Sequence, residues 1–359
     1  MTILGIETSC DETGVAIIEI NPPENKVNII SNQIASSLSI HSKTGGIIPD
    51  MAAREQVRYM IPVLESALKS LSKKPESVID AIAVTVGPGL IGSLLVGVET
   101  ARTLAYVWKK PIIPVNHLIG HIYANWLTDY CLPSTVKQKA VVGSLKAVVK
   151  QPEFPLVALV VSGGHTDLVL LKDHKKIKWL GGTRDDAAGE AFDKIGRLLN
   201  LLYPGGPSIE KAALKGNPKK YIFPRPMIGS KDFDFSFSGL KAAVFREIKS
   251  LKGIDDQTIS DISYAVQESI IDVLVKKTLK AAQKYKVRSI LLGGGVASNQ
   301  KLQEQFRLKA NDQRLKAEIF VPQKFLCTDN AAMIATAAFY NYKPVDWRRI
   351  SANPELYFY

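Results

Sequence analysis

Two stretches, IETSCDETGV at residues 6–15 and VVSGGHTDLV at residues 160–169, follow the same plan in the two halves of the chain. Each consists of an apolar run, a short polar turn and a second apolar run, which predicts a strand, a turn and a strand. The repeat of this plan predicts a duplicated α/β fold in which each half contains a β-hairpin of the same kind.

A second repeated feature lies further along each half. An apolar run at 81–86 enters Gly87-Pro88-Gly89, and another at 289–292 enters Gly293-Gly294-Gly295, each followed by a helix-period segment. Glycines allow close approach of backbone to a ligand, and free N–H groups at a helix start favour phosphate. Actin, Hsp70 and the sugar kinases use this plan, the ASKHA fold, to hold a nucleotide between two lobes. GxxxxGK[ST] does not occur, so a P-loop site is not expected.

The chain has 359 residues, more than one compact core usually holds, so we expect two lobes. We place the first lobe at 1–131 and the second at 156–359, with a helical insertion at about 203–286. The segment 132–155 has no amphipathic period, and we interpret it either as an insertion or as an interlobe linker. A helix-period segment covers 51–71, and Pro62 is expected to kink or split it.

Composition excludes several classes of protein. No stretch approaches the roughly 18 consecutive apolar residues that a membrane span needs. The start, Met-Thr-Ile-Leu-Gly-Ile-Glu, predicts a strand and not a targeting signal. The three cysteines, Cys10, Cys131 and Cys327, are widely spaced and form no CxxC pair, which fits a reducing cytoplasm.

The net charge of +12 favours a polyanionic partner, although a generic basic protein would also account for it. Basic pairs such as Lys73-Lys74 and Lys276-Lys277 are dispersed, which indicates a broad electrostatic surface and not a basic tail. The sequence has no RRM or helix-turn-helix signature. Charge therefore indicates an RNA partner as one hypothesis and does not specify which RNA.

The segment HLIGH at 117–121 predicts a pair of histidines one helical turn apart. The pair either shares a metal, or consists of two histidines that are solvated or that pack in the interior. A third ligand would be a carboxylate, and Asp329 is a candidate, although it would also serve as a helix N-cap. Two histidines and a carboxylate suit Fe or Zn. A metalloprotease of the HExxH type is not expected, because Leu118 stands where the glutamate would be.

Eight motifs together resemble those of the universal tRNA threonylcarbamoyladenosine transferases, once labelled O-sialoglycoprotein endopeptidases. The resemblance extends over roughly residues 3–340. The motifs are TSCDET at 8–13, HLIGH at 117–121, SGGHT at 162–166, DDAAGEAFDK at 185–194, PGGP at 204–207, FSFSGLK at 235–241, GGGVASN at 293–299 and CTDN at 327–330.

The resemblance implies an ASKHA-fold acyltransferase. It would move a threonylcarbamoyl group from L-threonylcarbamoyl-AMP to the exocyclic amine of adenosine 37, in tRNAs reading codons that begin with A. By motif match, one divalent metal per subunit, Fe²⁺ first and Zn²⁺ as the alternative, would be held by His117, His121 and Asp329. The acidic turn with Asp11 and Glu12 would lie near the reacting carbonyl and is the candidate catalytic element. The residues that would bind the adenylate are Val160, Val161, Ser162, Gly163, Gly164, Asp193, Gly206 and Asn299.

The implied chemistry requires no nucleophilic side chain, because the donor is an activated mixed anhydride. The enzyme must orient a weak amine and stabilise a developing oxyanion. The resemblance also implies that the partners are tRNA, a TsaB-like paralogue and a TsaE-like ATPase, or that the chain forms a homodimer. It implies no association with a membrane. Two alternatives are a small-molecule kinase, which gives the histidine pair no role, and a nucleotide-binding scaffold without catalysis. Loss of the His–His–Asp set would favour the scaffold, and the set is complete.

Overall fold

A computed structural model of the chain describes residues 1–21, 26–127, 129–130 and 150–358. Two mixed β-sheets with helices packed against them confirm the two-lobed α/β architecture expected from the sequence. Most of the segment 132–155, interpreted as an insertion or linker, lies outside the described residues, as does Cys131. Among the helices of the described ranges, none is both long and apolar enough to cross a membrane.

The first sheet belongs to the residues up to Tyr130. Its strands are β1 (Thr2–Glu7), β2 (Glu12–Asn21), β3 (Lys26–Ser36), β4 (Ala81–Gly87), β5 (Ile112–Asn116) and β6 (Asp129–Tyr130). The helices of this half are α1 (Leu38–Thr44), α2 (Pro49–Leu68), α3 (Pro75–Val78), α4 (Ile91–Trp108) and α5 (His117–Tyr123). The strand order is β5-β4-β1-β2-β3-β6, with β1 antiparallel to β2 and parallel to β4.

The second sheet repeats this arrangement. Its strands are β7 (Leu156–Val161), β8 (Thr166–Asp173), β9 (Lys176–Gly182), β10 (Ser289–Gly293) and β11 (Glu318–Phe320). The helices of this half are α6 (Ala188–Leu198), α7 (Gly205–Ala213), α8 (Ser238–Ser250), α9 (Asp256–Tyr285), α10 (Gln300–Asp312), α11 (Lys324–Cys327) and α12 (Ala331–Tyr340). The order β11-β10-β7-β8-β9 matches β5-β4-β1-β2-β3 strand for strand, with the same directions at β7–β8 and β7–β10.

The expectation that Pro62 splits its helix is wrong. Helix α2 runs unbroken from Pro49 to Leu68 with Pro62 inside it. Pro62 lies on the exposed face, and so does Arg58, the residue four positions before it. Water can therefore bond the carbonyl that has lost its intrahelical donor, which lowers the cost of an internal proline.

One helix from each half packs between the two sheets. Helix α12 covers β1 so closely that a Cβ at Gly5 would lie 2.4 Å from the carbonyl oxygen of Ala331. Helix α5 contacts β7 and β10, where a Cβ at Gly293 would lie 2.6 Å from the carbonyl oxygen of His121. The helix with the two histidines and the helix that follows Asp329 therefore meet at the lobe junction.

Candidate functional site

The two histidines of the HLIGH segment are held at the start of α5. The helix begins there because the side-chain oxygen of Asn116 accepts hydrogen bonds from the N–H groups of Leu118 at 2.8 Å and Ile119 at 3.2 Å. His117 and His121 are both buried, and their ring centroids are 4.6 Å apart. One helical turn of separation thus directs both rings into the same space.

Asp329 brings a carboxylate to these rings from between α11 and α12. Its Oδ1 lies 3.2 Å from Nε2 of His121 and 3.6 Å from Nε2 of His117. The alternative role of Asp329 as a helix cap is wrong, because Asn330 caps α12. The side-chain oxygen of Asn330 accepts a hydrogen bond from the N–H of Met333 at 3.0 Å. The carboxylate of Asp329 is therefore not used to cap α12.

The three side chains fit a divalent metal. One ligand atom from each of His117, His121 and Asp329 lies within 4.8 Å of the others. His121 is fully buried, its Nδ1 has no hydrogen-bond partner in the described part of the chain, and its Nε2 is poorly directed for a hydrogen bond to Asp329. Buried polar atoms without hydrogen bonds are costly unless another partner satisfies them. Two imidazoles and a carboxylate are donors that Fe²⁺ and Zn²⁺ accept.

Electrostatics favour a cation in this cluster. Burial disfavours charge on His117, but the carboxylates of Glu7 and Asp329 outweigh burial and raise the pKa of His117 to about 9. Burial also opposes ionisation of Asp329, but His117 and His121 outweigh it and lower the pKa of Asp329 to about 2. Burial lowers the pKa of His121. At neutral pH the site therefore has an ionised Asp329 carboxylate and a neutral His121 ring, and the nearby carboxylates hold a proton on His117, a positive charge whose place a metal cation can take.

The acidic turn between β1 and β2 lies beside the cluster of His117, His121 and Asp329. Burial, followed by the charges of Asp329 and Asp11, raises the pKa of Glu12 well above its usual range. Burial and the same carboxylates also raise the pKa of the Cys10 thiol. Gln56 on α2 holds the turn by donating from Nε2 to the carbonyls of residues 8, 10 and 12 at 3.3, 3.0 and 3.0 Å. The structure thus brings Asp11, Glu12 and Asp329 together, while Gln56 has no sequence signal that singles it out.

The turn between β7 and β8 is open on its outer side. A methyl group at Gly163 or Gly164 would meet no atom within 4 Å, so a ligand can approach the backbone there. Ser162 is partly exposed. The side chains of Val160 and Val161 are fully buried in the cores, so only the backbone of these two residues can face a ligand.

His165, in the same turn, is a neighbour of His117, His121 and Asp329 for which the sequence alone predicts no role. Burial, followed by the electrostatic effect of His117 and His121, lowers the pKa of His165 to about 4. Its Nδ1 lies 3.8 Å from Oδ2 of the buried Asp167. The second lobe therefore adds a neutral imidazole to the site, and its motif, SGGHT, is the sequence feature that contained it.

Asp193 lies beside the start of α7. The N–H of Gly205 donates to its Oδ1 at 2.7 Å. Burial raises the pKa of Asp193 to about 6, although the N–H groups of Gly205 and Gly206 lower it by hydrogen bonding to the carboxylate. A methyl group at Gly206 would meet no atom within 4 Å, so this backbone is also open. Burial and the charges of Asp193 and Asp11 raise the pKa of Tyr203, which therefore lies near acidic groups of both lobes.

Asn299 caps α10, and its side chain already has protein partners. Its Oδ1 accepts from the N–H of Leu302 at 2.9 Å, and its Nδ2 donates to Oε1 of Gln267 at 3.0 Å. The N–H of the next residue, Gln300, donates to Glu210 on α7 at 2.7 Å. These bonds tie the glycine-rich turn after β10 to α7 and α9, so Asn299 holds the turn in place.

A cleft of about 140 Å³ opens where the two lobes meet. Ser42 and Gly45 line it from the first lobe, and Asp193, Arg197 and Tyr203 line it from the second. The guanidinium of Arg197 donates to the carbonyl of Gly45 across the cleft. The cleft thus has Asp193 in its wall and a polar contact between the lobes at its edge.

Known proteins resemble this chain over nearly its full length. A family profile described as TsaD: tRNA N6-adenosine threonylcarbamoyltransferase matches residues 28–137 and 135–336. A protein of Thermomicrobium roseum named tRNA N6-adenosine threonylcarbamoyltransferase is 45% identical over 360 residues, covering 95% of this chain and 92% of that protein. The protein of the same name from Moorella thermoacetica is 45% identical over 357 residues, covering 99% and 96%.

Solved structures resemble the fold. HypF from T. kodakarensis superposes with a TM-score of 0.56 at 14% identity, covering 95% of this chain and 47% of that one. The chain thus spans about half the length of HypF, and at this identity the likeness shows the fold alone.

Proposed function

We propose that the chain modifies tRNA, and the premise is that it belongs to the tRNA N6-adenosine threonylcarbamoyltransferase (TsaD) family. The proposed reaction moves a threonylcarbamoyl group from L-threonylcarbamoyl-AMP to the exocyclic amine of adenosine 37, in tRNAs that read codons beginning with A. The observation that supports it best is the lobe junction. There the His117, His121 and Asp329 cluster adjoins the acidic turn at Asp11 and Glu12.

The reaction forms one bond and breaks another. The amine nitrogen bonds to the carbonyl carbon of the threonylcarbamoyl group, and the bond from that carbon to the phosphate oxygen breaks to release AMP. The amine also loses a proton, and we assign Glu12 to take it, with Asp11 beside it. Glu12 has a pKa raised by burial and by neighbouring carboxylates, as a general base near neutral pH requires. The thiol of Cys10, whose pKa is also raised, stays protonated and has no role as a nucleophile.

His117, His121 and Asp329 would hold one divalent metal, with Fe²⁺ in first place and Zn²⁺ as the alternative. When bound there, the metal would supply Lewis-acid chemistry toward an oxygen of the donor. The protein holds these ligands in position through the helix caps: Asn116 caps α5, and Asn330 caps α12.

The adenylate part of the donor would lie on the second lobe. Backbone groups of Val160, Val161, Ser162, Gly163, Gly164 and Gly206 would approach its phosphate and sugar, because the glycines there leave open space. Asp193 would accept hydrogen bonds from sugar hydroxyls at the wall of the cleft. Asn299 would contribute through the turn that it holds, since its amide already bonds to Leu302 and Gln267.

The charge distribution supports docking of tRNA on the second lobe. Residues 1–131 contain 10 basic and 12 acidic side chains, whereas residues 156–359 contain 32 basic and 21 acidic ones. Lysine and arginine release counterions from the phosphates of a nucleic acid, which drives binding. Lys276, Lys280 and Lys284 form an exposed stripe along α9 that fits this role.

An apolar face on the first lobe supports a protein partner. Helices α2 and α4 cross closely, since a Cβ at Gly92 would lie 3.1 Å from Cβ of Ala53. Around this crossing both helices expose large apolar side chains: Val57, Ile61, Ile91 and Leu95. Exposed apolar surface of this kind marks interfaces. We assign the face to a TsaB-like paralogue or, in a homodimer, to a second copy; a TsaE-like ATPase and a cytoplasmic location are part of the same proposal.

A transfer assay with two tRNAs tests the proposed function. The purified chain, with and without the TsaB-like and TsaE-like proteins of its own organism, is mixed with L-threonylcarbamoyl-AMP. One transcript reads a codon beginning with A, and its matched control has guanosine at position 37. Mass spectrometry of the digested tRNA is expected to detect threonylcarbamoyladenosine only in the first transcript. Absence of product with every partner present, together with phosphoryl transfer from ATP to a small molecule, would favour the kinase alternative.

A further inference from the structure

Glu7 is a fully buried carboxylate at the end of β1 to which the proposed reaction assigns no task. Its Oε1 accepts a hydrogen bond from the N–H of Ser9 at 2.5 Å, and its Oε2 accepts one from Oγ1 of Thr85 on β4 at 2.6 Å. The same Oε2 lies 3.1 Å from Nδ1 of His117. Glu7 is thus fixed by two strands of the first sheet and aimed at a metal ligand.

We propose that Glu7 is a positioning residue that sets the tautomer and the orientation of His117. An ionised carboxylate only accepts hydrogen bonds, so Nδ1 of His117 must carry the proton that it shares with Glu7. In the neutral ring that metal binding requires, the lone pair is then on Nε2, the nitrogen that lies 3.6 Å from Oδ1 of Asp329. In metal sites, a carboxylate of this kind orients the histidine and raises its basicity.

The second histidine ligand shows why Glu7 acts on one ring alone. Nδ1 of His121 has no hydrogen-bond partner in the described ranges, so packing in the buried interior orients that ring. His117 has instead two polar contacts at Nδ1, from Glu7 and from Oγ of Ser9, which also lies 3.1 Å away. Loss of the Glu7 carboxylate is therefore expected to weaken metal binding without abolishing it.

The variant Glu7→Gln tests the proposal because it keeps the shape and changes the polarity. If the amide oxygen keeps the Ser9 N–H, the amide NH₂ faces Nδ1 of His117. Nδ1 must then accept, the proton moves to Nε2, and that nitrogen no longer binds a metal. If the amide is flipped, its NH₂ group faces the N–H of Ser9, and two hydrogen-bond donors then meet without an acceptor. Either arrangement is expected to lower metal affinity by about 10- to 100-fold.

The measurement is competition with a chromogenic chelator for Zn²⁺ at neutral pH, alongside chemical unfolding of each protein with excess chelator. The control is Glu19→Gln, which removes a carboxylate from β2 at the far end of the β1–β2 pairing, opposite Thr2. We expect weaker Zn²⁺ binding in Glu7→Gln alone. Wild-type affinity in a folded Glu7→Gln would overturn the proposal. The test rests on the metal site of the proposed function and not on transfer activity, so failure of the transfer assay would leave its result intact.

A second measurement needs no variant and decides the matter if Glu7→Gln does not fold. Nitrogen-15 NMR of the Zn²⁺-loaded wild-type chain distinguishes a protonated ring nitrogen from a metal-bound one. His117 is expected to show a protonated Nδ1 and a metal-bound Nε2. A metal-bound Nδ1 in His117 would overturn the proposal.

Discussion

At the scale of single residues, the neighbours Asp329 and Asn330 have separate tasks, and two variants are expected to separate them. Asp329→Asn removes the charged ligand and should abolish retention of a divalent metal, with little effect on stability in the presence of chelator. Asn330→Ala removes the cap of α12 and should cost about 1 kcal/mol of unfolding free energy. Metal content after dialysis and unfolding in denaturant measure the two effects. A metal-binding Asp329→Asn protein would contradict the assignment.

Asp193 gives a pH-dependent prediction. Its pKa in the folded chain is raised to about 6, so the folded state holds the proton more tightly than the unfolded state does. Stability from this group is therefore present at low pH and is lost as pH rises through the folded-state pKa. Asp193→Asn cannot ionise and should be more stable than wild type by about 3 kcal/mol near pH 8, and by much less near pH 4. Thermal unfolding at the two pH values tests this, and a difference that does not depend on pH would contradict it.

Sequence patterns could predict the candidate ligands but not their neighbours. His117 and His121 are one helical turn apart, and Asp329 lies in a motif of the family, so local spacing and resemblance select all three. Glu7 on β1 reaches His117 because β1, β4 and β5 are neighbours in the first sheet, and His165 reaches the cluster because the two lobes meet there. No pattern within a single segment encodes such a contact.

At the scale of elements, the close packing of α12 on β1 links a remote glycine to the metal site. Gly5→Ala would place a Cβ 2.4 Å from the backbone oxygen of Ala331, so α12 must move. Because Asp329 lies just before α12, the variant should lose about 1–3 kcal/mol of stability and also bind Zn²⁺ more weakly. Unfolding and chelator competition measure both effects.

The matched control for this variant is Gly239→Ala, in the first turn of α8. A methyl group there would meet no atom within 4 Å, and alanine favours helix, so stability should be unchanged or slightly higher. Unchanged Zn²⁺ affinity in a destabilised Gly5→Ala protein would contradict the coupling between α12 and the ligands.

The buried strands and long helices could be predicted, whereas surface elements could not. The strands β1, β4, β7 and β10 are continuous apolar runs with almost fully buried residues. Strand β9, KIKWLGG, has lysines on its exposed side and lacks such a run, so the sequence analysis did not identify it. Helix α7 begins at Gly205-Gly206-Pro207, where the sequence indicates a turn, and it forms because it packs on α6 and α9.

At the scale of the whole molecule, the segment 353–358 ties the two lobes together beside the site. The N–H of Asn353 donates to the carbonyl of Val86 at 2.7 Å, and Nδ2 of Asn116 donates to the carbonyl of Tyr357 at 2.9 Å. The hydroxyl of Tyr357 donates to Asp167 in the second lobe. Asn116, which caps the histidine helix, and Asp167, the acid beside His165, are thus connected through one residue, Tyr357.

Tyr357→Phe is expected to weaken this connection. Asp167 is buried, and among the described residues it would keep the indole N–H of Trp179, at 3.0 Å, as its one close donor. Leaving a buried acceptor short of a donor costs about 1–3 kcal/mol, measurable as a lower urea midpoint. Tyr342→Phe, at an exposed ring, is the control and should unfold like wild type. Equal midpoints for both variants would exclude a role for the hydroxyl in joining the lobes.

The duplication of the fold could be predicted from the repeated strand-turn-strand plan. The sequence could not predict that α5 packs against the second sheet and α12 against the first. The apolar surface of each helix could be buried equally well against either sheet. That exchange of helices nevertheless creates the site, since it brings the histidines of one half to the aspartate of the other.

The most direct test of the central claim is single-turnover transfer from labelled L-threonylcarbamoyl-AMP to unmodified tRNA, with the partner proteins present. The wild-type chain loaded with metal is compared with His117→Ala under the same conditions. We predict label in the adenosine next to the anticodon with wild type, and a loss of at least about 100-fold in rate with His117→Ala, as expected when a ligand that supports catalysis is removed. Equal rates for the two proteins, or no transfer by either, would contradict a metal-assisted transferase at the lobe junction.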